Sequence, residues 1–424
     1  MLKKTQYSYS GMKIIEHNFN VPIDYFKSNS KTINIFAREI SDNQNNSKDL
    51  PFLLFLQGGP GYESPRPLIK SGWLKRALMN YKVLLLDQRG TGLSSSISSH
   101  LFNGMSDESI SKYLTHFRAD NIIRDAEFIR KKLINNDRWN ILGQSFGGFC
   151  AVTYLSYFPD SLDKVFITGG LPPIKSHPDD VYRSTYKRVL SKNKIFYETF
   201  PNSIEKVIRI VRHLERNKEY LPNGDILSVK RFQQLGLILG FSDGMATLNY
   251  LIENSFDSNN SLSYYFLKNI YSLQSFDTNP IFSVLHEACY AQGFATEWSA
   301  ERIKKEFSEF EIYSNNKFYF TGEMIYPWMF DFYSLLRPLK GASKIIARKQ
   351  DWPLLYNLKN LENNNSKVVA VVYTNDMYVD REFSLDTACH ISNISVWETE
   401  KYEHNGLRSD GEEILGILFE KTKK

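Results

Sequence analysis

Cysteine is scarce in this sequence, which has only Cys150, Cys289 and Cys389 among 424 residues. Their number is odd, their spacing is wide and their neighbourhoods are mostly apolar. This pattern predicts buried free thiols in a reducing cytoplasm rather than disulfides. It also argues against a cysteine nucleophile and against a metal site built from thiolates.

Long apolar segments are lacking as well. No uninterrupted run reaches the roughly eighteen residues that a membrane span requires. Lys3 and Lys4 are followed by polar residues rather than by the apolar core of a signal peptide. Charge of one sign is also missing, because 52 basic and 47 acidic residues are scattered along the chain. We therefore expect a cytoplasmic protein with no membrane contact and no nucleic-acid partner.

Apolar and aromatic residues, in contrast, are plentiful. Hydrophobic residues make up 42% of the chain, with 29 Phe and 25 Tyr, which is enough for an extensive core and for aromatic pocket walls. A chain of 424 residues exceeds the usual size of a single core, so a core domain with a sizeable insertion or a second domain is expected.

Apolar runs and the turn residues that separate them indicate an α/β fold with a mostly parallel central sheet. The predicted strands are an N-terminal hairpin, Met12 to Asn20 and Lys31 to Ile40, and then Pro51 to Leu56, Tyr81 to Leu86, Trp139 to Leu142, Lys164 to Thr168, Lys367 to Tyr373 and Ile391 to Trp397. Between residues 175 and 340 the pattern changes to amphipathic, Tyr- and Phe-rich segments, which predict a mainly helical cap. The core domain would then comprise residues 1–174 and 341–424.

One short motif carries the first chemical signal. Gly143 to Gly148 reads GQSFGG and fits G-x-S-x-G between a predicted strand and a predicted helix. Such a turn holds its serine in a strained conformation at a helix N-terminus, where backbone N–H groups favour developing negative charge. Ser145 is therefore the candidate nucleophile of a serine hydrolase with the α/β-hydrolase fold. The alternative is a glycine-rich turn with an incidental serine.

Two further loops follow predicted strands. Gln57 to Gly61 reads QGGPG, and its glycines allow close approach to a substrate carbonyl, so the N–H groups of Gly59 and Phe146 are expected to form an oxyanion hole. A phosphate-binding loop is disfavoured because no lysine stands at the required place. In the segment DQRGTGLS, Asp87 and Arg89 are expected to form a buried pair that braces the two loops.

Taken together, these three motifs resemble those of the proline iminopeptidases, also called prolyl aminopeptidases. The resemblance covers nearly the whole chain, and Gly58 to Pro67 is similar to the longer subclass. Gln57 departs from shorter members, which carry a histidine there. The resemblance implies a serine aminopeptidase that releases N-terminal proline from peptides through an acyl-enzyme intermediate, with no cofactor and no metal.

The order of residues in α/β-hydrolases, serine then acid then histidine, narrows the choice of the other two catalytic residues. His404 lies after the last predicted strand, and the resemblance implies that it is the base; His390, before that strand, is the rival. Asp376 follows the strand Lys367 to Tyr373, with Asp380 as its rival. The resemblance favours Asp376, because the family places its acid directly before a Met-containing turn.

Recognition of a free N-terminal proline would require carboxylates in an aromatic pocket. The cap offers Glu253, Glu287, Glu301 and Glu323. Glu287 and Glu323 are favoured because each stands among aromatic and apolar residues, where an unpaired carboxylate is costly. An ordinary exposed or capping glutamate is the alternative for each of them.

Two other functions compete with this interpretation. An esterase or amidase on the same scaffold would have a cap lined for an uncharged acyl group. A catalytically inactive binding protein would keep the fold without an activated serine, and the apparently complete set of serine, acid and histidine argues against it.

Overall fold

A computed structural model describes residues 5–45, 49–274, 276–312 and 317–423. The strands found there are β1 (Thr5–Tyr9), β2 (Met12–Pro22), β3 (Thr32–Asp42), β4 (Phe52–Leu56), β5 (Lys82–Leu86), β6 (Trp139–Gln144), β7 (Leu162–Thr168), β8 (Lys367–Tyr373) and β9 (Ile394–Thr399). They form one sheet in the order β1-β2-β3-β5-β4-β6-β7-β8-β9. The first three pairs in this order, β1 with β2, β2 with β3 and β3 with β5, are antiparallel. The remaining five pairs, from β5 with β4 to β8 with β9, are parallel. The predicted mostly parallel sheet is confirmed.

Helices cover both faces of the sheet. Those that lie outside the connection from β7 to β8 are α1 (Gly72–Leu78), α2 (Asp107–Leu114), α3 (Ala119–Ile134), α4 (Phe146–Tyr157), α15 (Arg381–Cys389), α16 (Gly406–Ser409) and α17 (Gly411–Lys421). The connection itself contains α5 (Pro178–Thr199), α6 (Ser203–Arg216), α7 (Val229–Gln233), α8 (Gly244–Glu253), α9 (Tyr264–Leu273), α10 (Pro280–Leu285), α11 (Ser299–Lys304), α12 (Met329–Phe332), α13 (Lys340–Arg348) and α14 (Leu358–Glu362). Its described residues form helices and turns but no strand of the sheet. The boundaries at residues 174 and 340 stay a prediction.

The sheet is buried on both faces, as the continuous apolar runs predict. In β5, Leu84 and Leu86 join the core on the face that carries the cap, whereas Val83 and Leu85 join the core that α1 and α17 cover. Successive side chains of a strand point to opposite faces, so a strand between two layers must be apolar at every position. Each fully buried aliphatic side chain contributes about 1.5–3 kcal/mol to the free energy of folding.

Strand order brings the sequence motifs together. β4, β5 and β6 are neighbours in the sheet, and β8 is separated from β6 only by β7. Because these strands are parallel, the loops that follow them emerge at the same edge of the sheet. That edge therefore collects the glycine loop after Leu56, the loop after Leu86, Ser145 and the loop after Tyr373.

Three details differ from the sequence-based expectations. β1 pairs with β2 although no strand was predicted there, and its five residues are all exposed, so no hydrophobic pattern marks it. β9 begins at Ile394 rather than at Ile391, because Asn393 turns the chain with a φ of 59°. Cys389 is exposed, so the prediction of three buried thiols is wrong for this residue.

No helix in the described ranges is long and apolar enough to cross a membrane. Within the same ranges, no group of three or more His, Cys, Asp or Glu side chains is placed to hold a metal ion.

Candidate active site

Ser145 occupies a sharp turn between β6 and α4. Its backbone adopts φ 56° and ψ −125°, a conformation that is strained for a residue with a Cβ atom. The two glycines that follow, Gly147 and Gly148, are required by close packing. A Cβ atom on Gly147 would lie 1.9 Å from the carbonyl oxygen of Leu56, and one on Gly148 would lie 2.4 Å from that of Gly170. The turn therefore places Ser145 at the end of the sheet and at the N-terminus of α4.

His404 and Asp376 form a hydrogen-bonded relay with Ser145. The His404 Nε2 atom lies 2.9 Å from Ser145 Oγ, and its Nδ1 atom lies 2.7 Å from Asp376 Oδ2. Both side chains are buried. Burial alone would lower the pKa of His404, but the Asp376 carboxylate and its hydrogen bond outweigh burial and raise that pKa above its ordinary value. This arrangement can take a proton from Ser145 and hold it as an imidazolium.

The loops around this relay hold both partners of Ser145. The second carboxylate oxygen of Asp376 accepts hydrogen bonds from the backbone N–H groups of Tyr378, at 2.8 Å, and Val379, at 3.0 Å. The backbone N–H of His404 donates to the carbonyl oxygen of Gly240, which belongs to the connection between β7 and β8. The cap therefore helps to set the position of the histidine.

The rival residues have other partners. Asp380 accepts a hydrogen bond from the N–H of Glu382 at the start of α15 and pairs with Arg188 at 3.0 Å. The Nδ1 atom of His390 lies 2.8 Å from the carbonyl oxygen of Asp386. The structure brings Asp376 and His404 to Ser145, whereas Asp380 and His390 make other contacts.

The glycine loop after β4 lies against Ser145. A Cβ atom on Gly58 would lie 3.0 Å from the Cβ of Ser145, so only glycine allows this approach without displacement. Gly59 has a φ of 137°, in the region that favours glycine. Phe146 is the first residue of α4, directly after Ser145. The use of the Gly59 and Phe146 N–H groups as an oxyanion hole stays a prediction.

The expected pair between Asp87 and Arg89 is wrong. Asp87 instead accepts two hydrogen bonds of 2.7 Å from the guanidinium of Arg66, and it also accepts the N–H groups of Ser64, at 3.1 Å, and Leu93, at 2.9 Å. Arg89 pairs with Asp125 on α3, at 2.6 and 2.7 Å. Proximity in sequence was misleading, because each of these charges is neutralised by a residue from another part of the fold. The Asp87 carboxylate still joins the loops after β4 and β5.

Breaking the Arg66–Asp87 pair is expected to destabilise the protein. Arg66→Met should lower the free energy of unfolding by about 2–4 kcal/mol, because it leaves the buried Asp87 carboxylate without its cation. It should also reduce kcat by loosening the loop after β4, which contains Ser64. Urea denaturation followed by fluorescence measures the first effect. Lys82→Met is the control, because its partner Asp49 is fully exposed, and a loss no larger for Arg66→Met than for this control would contradict the prediction.

Comparison with known proteins identifies the family. Residues 51–218 match the model of the alpha/beta hydrolase fold. A proline iminopeptidase of Aeromonas sobria is 45% identical over 99% of both chains, and one of Aspergillus aculeatus is 34% identical over 95% of this chain and 92% of its own. The chain belongs to the proline iminopeptidase family. The crystal structure of a Bacillus anthracis bromoperoxidase is 14% identical, with a TM-score of 0.41, over 96% of this chain and 100% of its own.

This member of the proline iminopeptidase family has two carboxylates that the sequence favours for substrate binding, Glu287 and Glu323. Their surroundings differ. Glu287 accepts the backbone N–H groups of Ser299, at 3.1 Å, and Ala300, at 3.0 Å, and so caps the N-terminus of α11. Burial raises its pKa to about 7. Its hydrogen-bonding capacity is therefore engaged within the cap, and a direct contact of Glu287 with substrate stays a prediction.

Glu323 lies within electrostatic reach of the relay. Its carboxylate interacts electrostatically with both His404 and Asp376, and burial raises its pKa to about 7 although 22% of the side chain remains accessible. Its nearest cationic candidate is the ring of His286, with Nε2 at 4.0 Å, but burial lowers the pKa of His286 to about 4, so that ring is neutral. Within the described residues, no lysine or arginine pairs with Glu323. This carboxylate therefore has no cationic partner among the described side chains.

Several residues that support the site escaped the sequence reasoning. The ring of Tyr378 lies 4.7 Å from that of His404, and its hydroxyl donates to the carbonyl oxygen of Leu237 in the cap. Lys192 on α5 pairs with Glu403 at 2.5 Å, directly before His404. Tyr378 could have been noticed two residues after Asp376. No local signal in the sequence identifies Lys192, since its partner lies 211 residues away.

Proposed function

We propose that this protein is a serine exopeptidase that releases N-terminal proline from peptides. The main support is that Glu323 lies within electrostatic reach of the relay formed by Ser145, His404 and Asp376. Within the described residues, this carboxylate has no lysine or arginine partner. The relay supports acyl transfer, and the nearby carboxylate supports binding of a protonated amine. Full-length relatives that carry the name proline iminopeptidase support the same activity.

The first half of the proposed reaction forms an acyl-enzyme. Ser145 Oγ attacks the carbonyl carbon of the N-terminal proline while His404 Nε2 takes the hydroxyl proton. The N–H groups of Gly59 and Phe146 bind the resulting oxyanion. His404 then passes its proton to the leaving nitrogen, the C–N bond breaks, and a prolyl ester of Ser145 remains.

The second half regenerates the enzyme. A water molecule gives a proton to His404 and attacks the prolyl ester, and collapse of the second tetrahedral intermediate expels Ser145 Oγ, which recovers its proton from His404. The products are free proline and a peptide shortened by one residue. Asp376 holds the imidazole in the required tautomer through both halves.

The position of Glu323 suits an N-terminal residue. In an amino acid, the amine nitrogen lies only about 2.5 Å from the carbonyl carbon, because two bonds separate them. The group that binds the amine must therefore be close to the nucleophile and its base. The side chains of Tyr62, Tyr182, Tyr290 and Tyr378 interact electrostatically with Glu323 and supply an aromatic surrounding for the proline ring.

Glu323→Gln is expected to reduce kcat/KM for prolyl-β-naphthylamide by about 100-fold, since it removes the charge that binds the protonated imino group. Hydrolysis of an uncharged acetate ester should fall much less. The matched control is Glu287→Gln, which alters the other favoured carboxylate but lies at a helix cap. Equal losses on the amide and the ester would contradict the role of Glu323. A loss specific to the amide in Glu287→Gln would move that role to Glu287.

The same variant should change the pH profile. Only the ionised carboxylate attracts a charged amine, and burial places the pKa of Glu323 at about 7. KM for prolyl-β-naphthylamide should therefore fall as the pH rises through neutrality, and Glu323→Gln should lose this dependence. His404 also titrates, so the profile of the variant serves as the reference.

We also propose a cellular location for this protein. The three free cysteines support a cytoplasmic location.

An esterase or amidase with an uncharged acyl pocket is not favoured, because an uncharged acyl group would leave the buried Glu323 carboxylate without a cation. Comparing proline amides with their N-acetylated analogues distinguishes the two activities.

A further inference from the structure

Arg408 is an exposed cation on α16, four residues after His404. Among the described residues, its guanidinium has no carboxylate partner and no side-chain hydrogen bond. Nearby charges in the same part of the chain are paired: Glu403 with Lys192, Lys401 with Glu413, and Arg381 with Glu398. The charge of Arg408 is thus left uncompensated beside the proposed catalytic histidine.

Aromatic contacts fix the location of this guanidinium. It lies 5.3 Å from the centroid of the Phe241 ring. Phe241 stacks on Tyr378 with 5.5 Å between ring centroids, and Tyr378 lies 4.7 Å from His404. The backbone N–H of Ser242 also donates to Asn405 Oδ1, at 3.0 Å, and this ties the same cap segment to the turn before α16. The contact with Phe241 therefore keeps the Arg408 side chain near the rim of the site.

Two opposite charges lie within electrostatic reach of His404. Glu323 and Arg408 both interact electrostatically with His404, with Tyr378 and with Tyr62 on the glycine loop, and their effects have opposite signs in each case. These three side chains are therefore within reach of both charges. Arg408 is exposed to solvent, whereas only 22% of the Glu323 side chain is accessible.

The direction of the substrate follows from the proposed function, on which this inference rests. With the amine at Glu323 and the first carbonyl at Ser145, the leaving nitrogen must face His404 Nε2 to receive its proton. The leaving residues then continue away from the enclosed Glu323 and towards solvent, where Arg408 is exposed. Each further residue extends a peptide by at most about 3.6 Å, so the C-terminal carboxylate of a dipeptide or tripeptide stays near this rim.

We propose that Arg408 binds the free C-terminal carboxylate of short peptides, so that the enzyme prefers prolyl dipeptides and tripeptides over longer chains. An arginine suits this role because its planar guanidinium donates two parallel hydrogen bonds to a carboxylate. Glu323 and Arg408 would then hold the two ends of a zwitterionic substrate with the scissile bond between them.

The test compares kcat/KM for Pro-Ala and for its C-terminal amide in the full-length enzyme. In the wild type, we expect the acid to be preferred, and Arg408→Gln should lower the ratio of acid to amide about tenfold. Arg408→Lys should lower the ratio less, because it keeps the charge but loses the paired donors. The same ratio for Pro-Ala-Ala shows whether a tripeptide reaches the rim.

Arg76→Gln is the matched control, since Arg76 also lies over a phenylalanine ring, that of Phe419 at 4.7 Å, but on the opposite face of the sheet. It should leave the ratio unchanged. An unchanged ratio in Arg408→Gln, with activity on prolyl-β-naphthylamide present in the wild type, overturns the inference and leaves the proposed function standing. Absence of that activity in the wild type overturns both.

Discussion

Ser145→Ala is expected to reduce kcat for prolyl-β-naphthylamide by about 10⁴-fold or more, because it removes the atom that forms the acyl-enzyme. The His404 Nε2 atom, 2.9 Å away in the wild type, would then have no hydroxyl to deprotonate. Initial rates measure the loss. A fluorophosphonate should label the wild type and leave the variant unlabelled, since only an activated serine reacts.

Ser156→Ala provides the control on the same helix. Ser156 is buried and its hydroxyl donates to the carbonyl oxygen of Val152, so the substitution tests the loss of a buried hydroxyl from α4 without touching His404. Labelling should persist in this variant. Retention of labelling or of substantial activity in Ser145→Ala would remove Ser145 from the proposed mechanism.

Asp376→Asn should reduce kcat by about 10⁴-fold while largely preserving the local fold. The amide oxygen can still accept the N–H groups of Tyr378 and Val379, but it cannot stabilise an imidazolium or enforce the same tautomer. Because the carboxylate raises the pKa of His404, its removal should lower that pKa. The acidic limb of the residual pH–rate profile should therefore move to lower pH, which single-turnover kinetics can measure.

Asp380→Asn is the informative comparison, because sequence reasoning left Asp380 as the rival acid. Asp380 pairs with Arg188 and caps α15, so its variant should lose less than about tenfold in kcat and should change stability instead. A larger loss of kcat in Asp380→Asn than in Asp376→Asn would show that the acid is assigned to the wrong residue.

Elements with strong local signals could be predicted from the sequence. The runs that form β4, β5 and β8 are apolar at successive positions because both faces of the sheet are covered, and this requirement is visible without coordinates. β1 lacked any such signal, since its residues are exposed and its pairing with β2 decides its conformation. Propensity alone could not mark it as a strand.

Partners of charged residues were harder to foresee. Asp87 and Arg89 stand two positions apart, yet one pairs with Arg66 and the other with Asp125. The distinction between Glu287 and Glu323 has the same origin, because both stand in apolar, aromatic segments. The N-terminus of α11 engages the first carboxylate, whereas the second interacts electrostatically with His404 and Asp376.

The sequence by itself determined the order of the strands along the chain and the glycines around Ser145, because each depends on residues close together in the chain. The order serine, acid, histidine and the family resemblance narrowed the candidates for acid and base. Only the tertiary structure decided which carboxylate interacts with His404 and Asp376, which cation neutralises Asp87 and where Arg408 stands relative to His404. These depend on contacts between segments tens to hundreds of residues apart. Such contacts form only when the parallel strands bring their loops to one edge of the sheet and the cap closes over it.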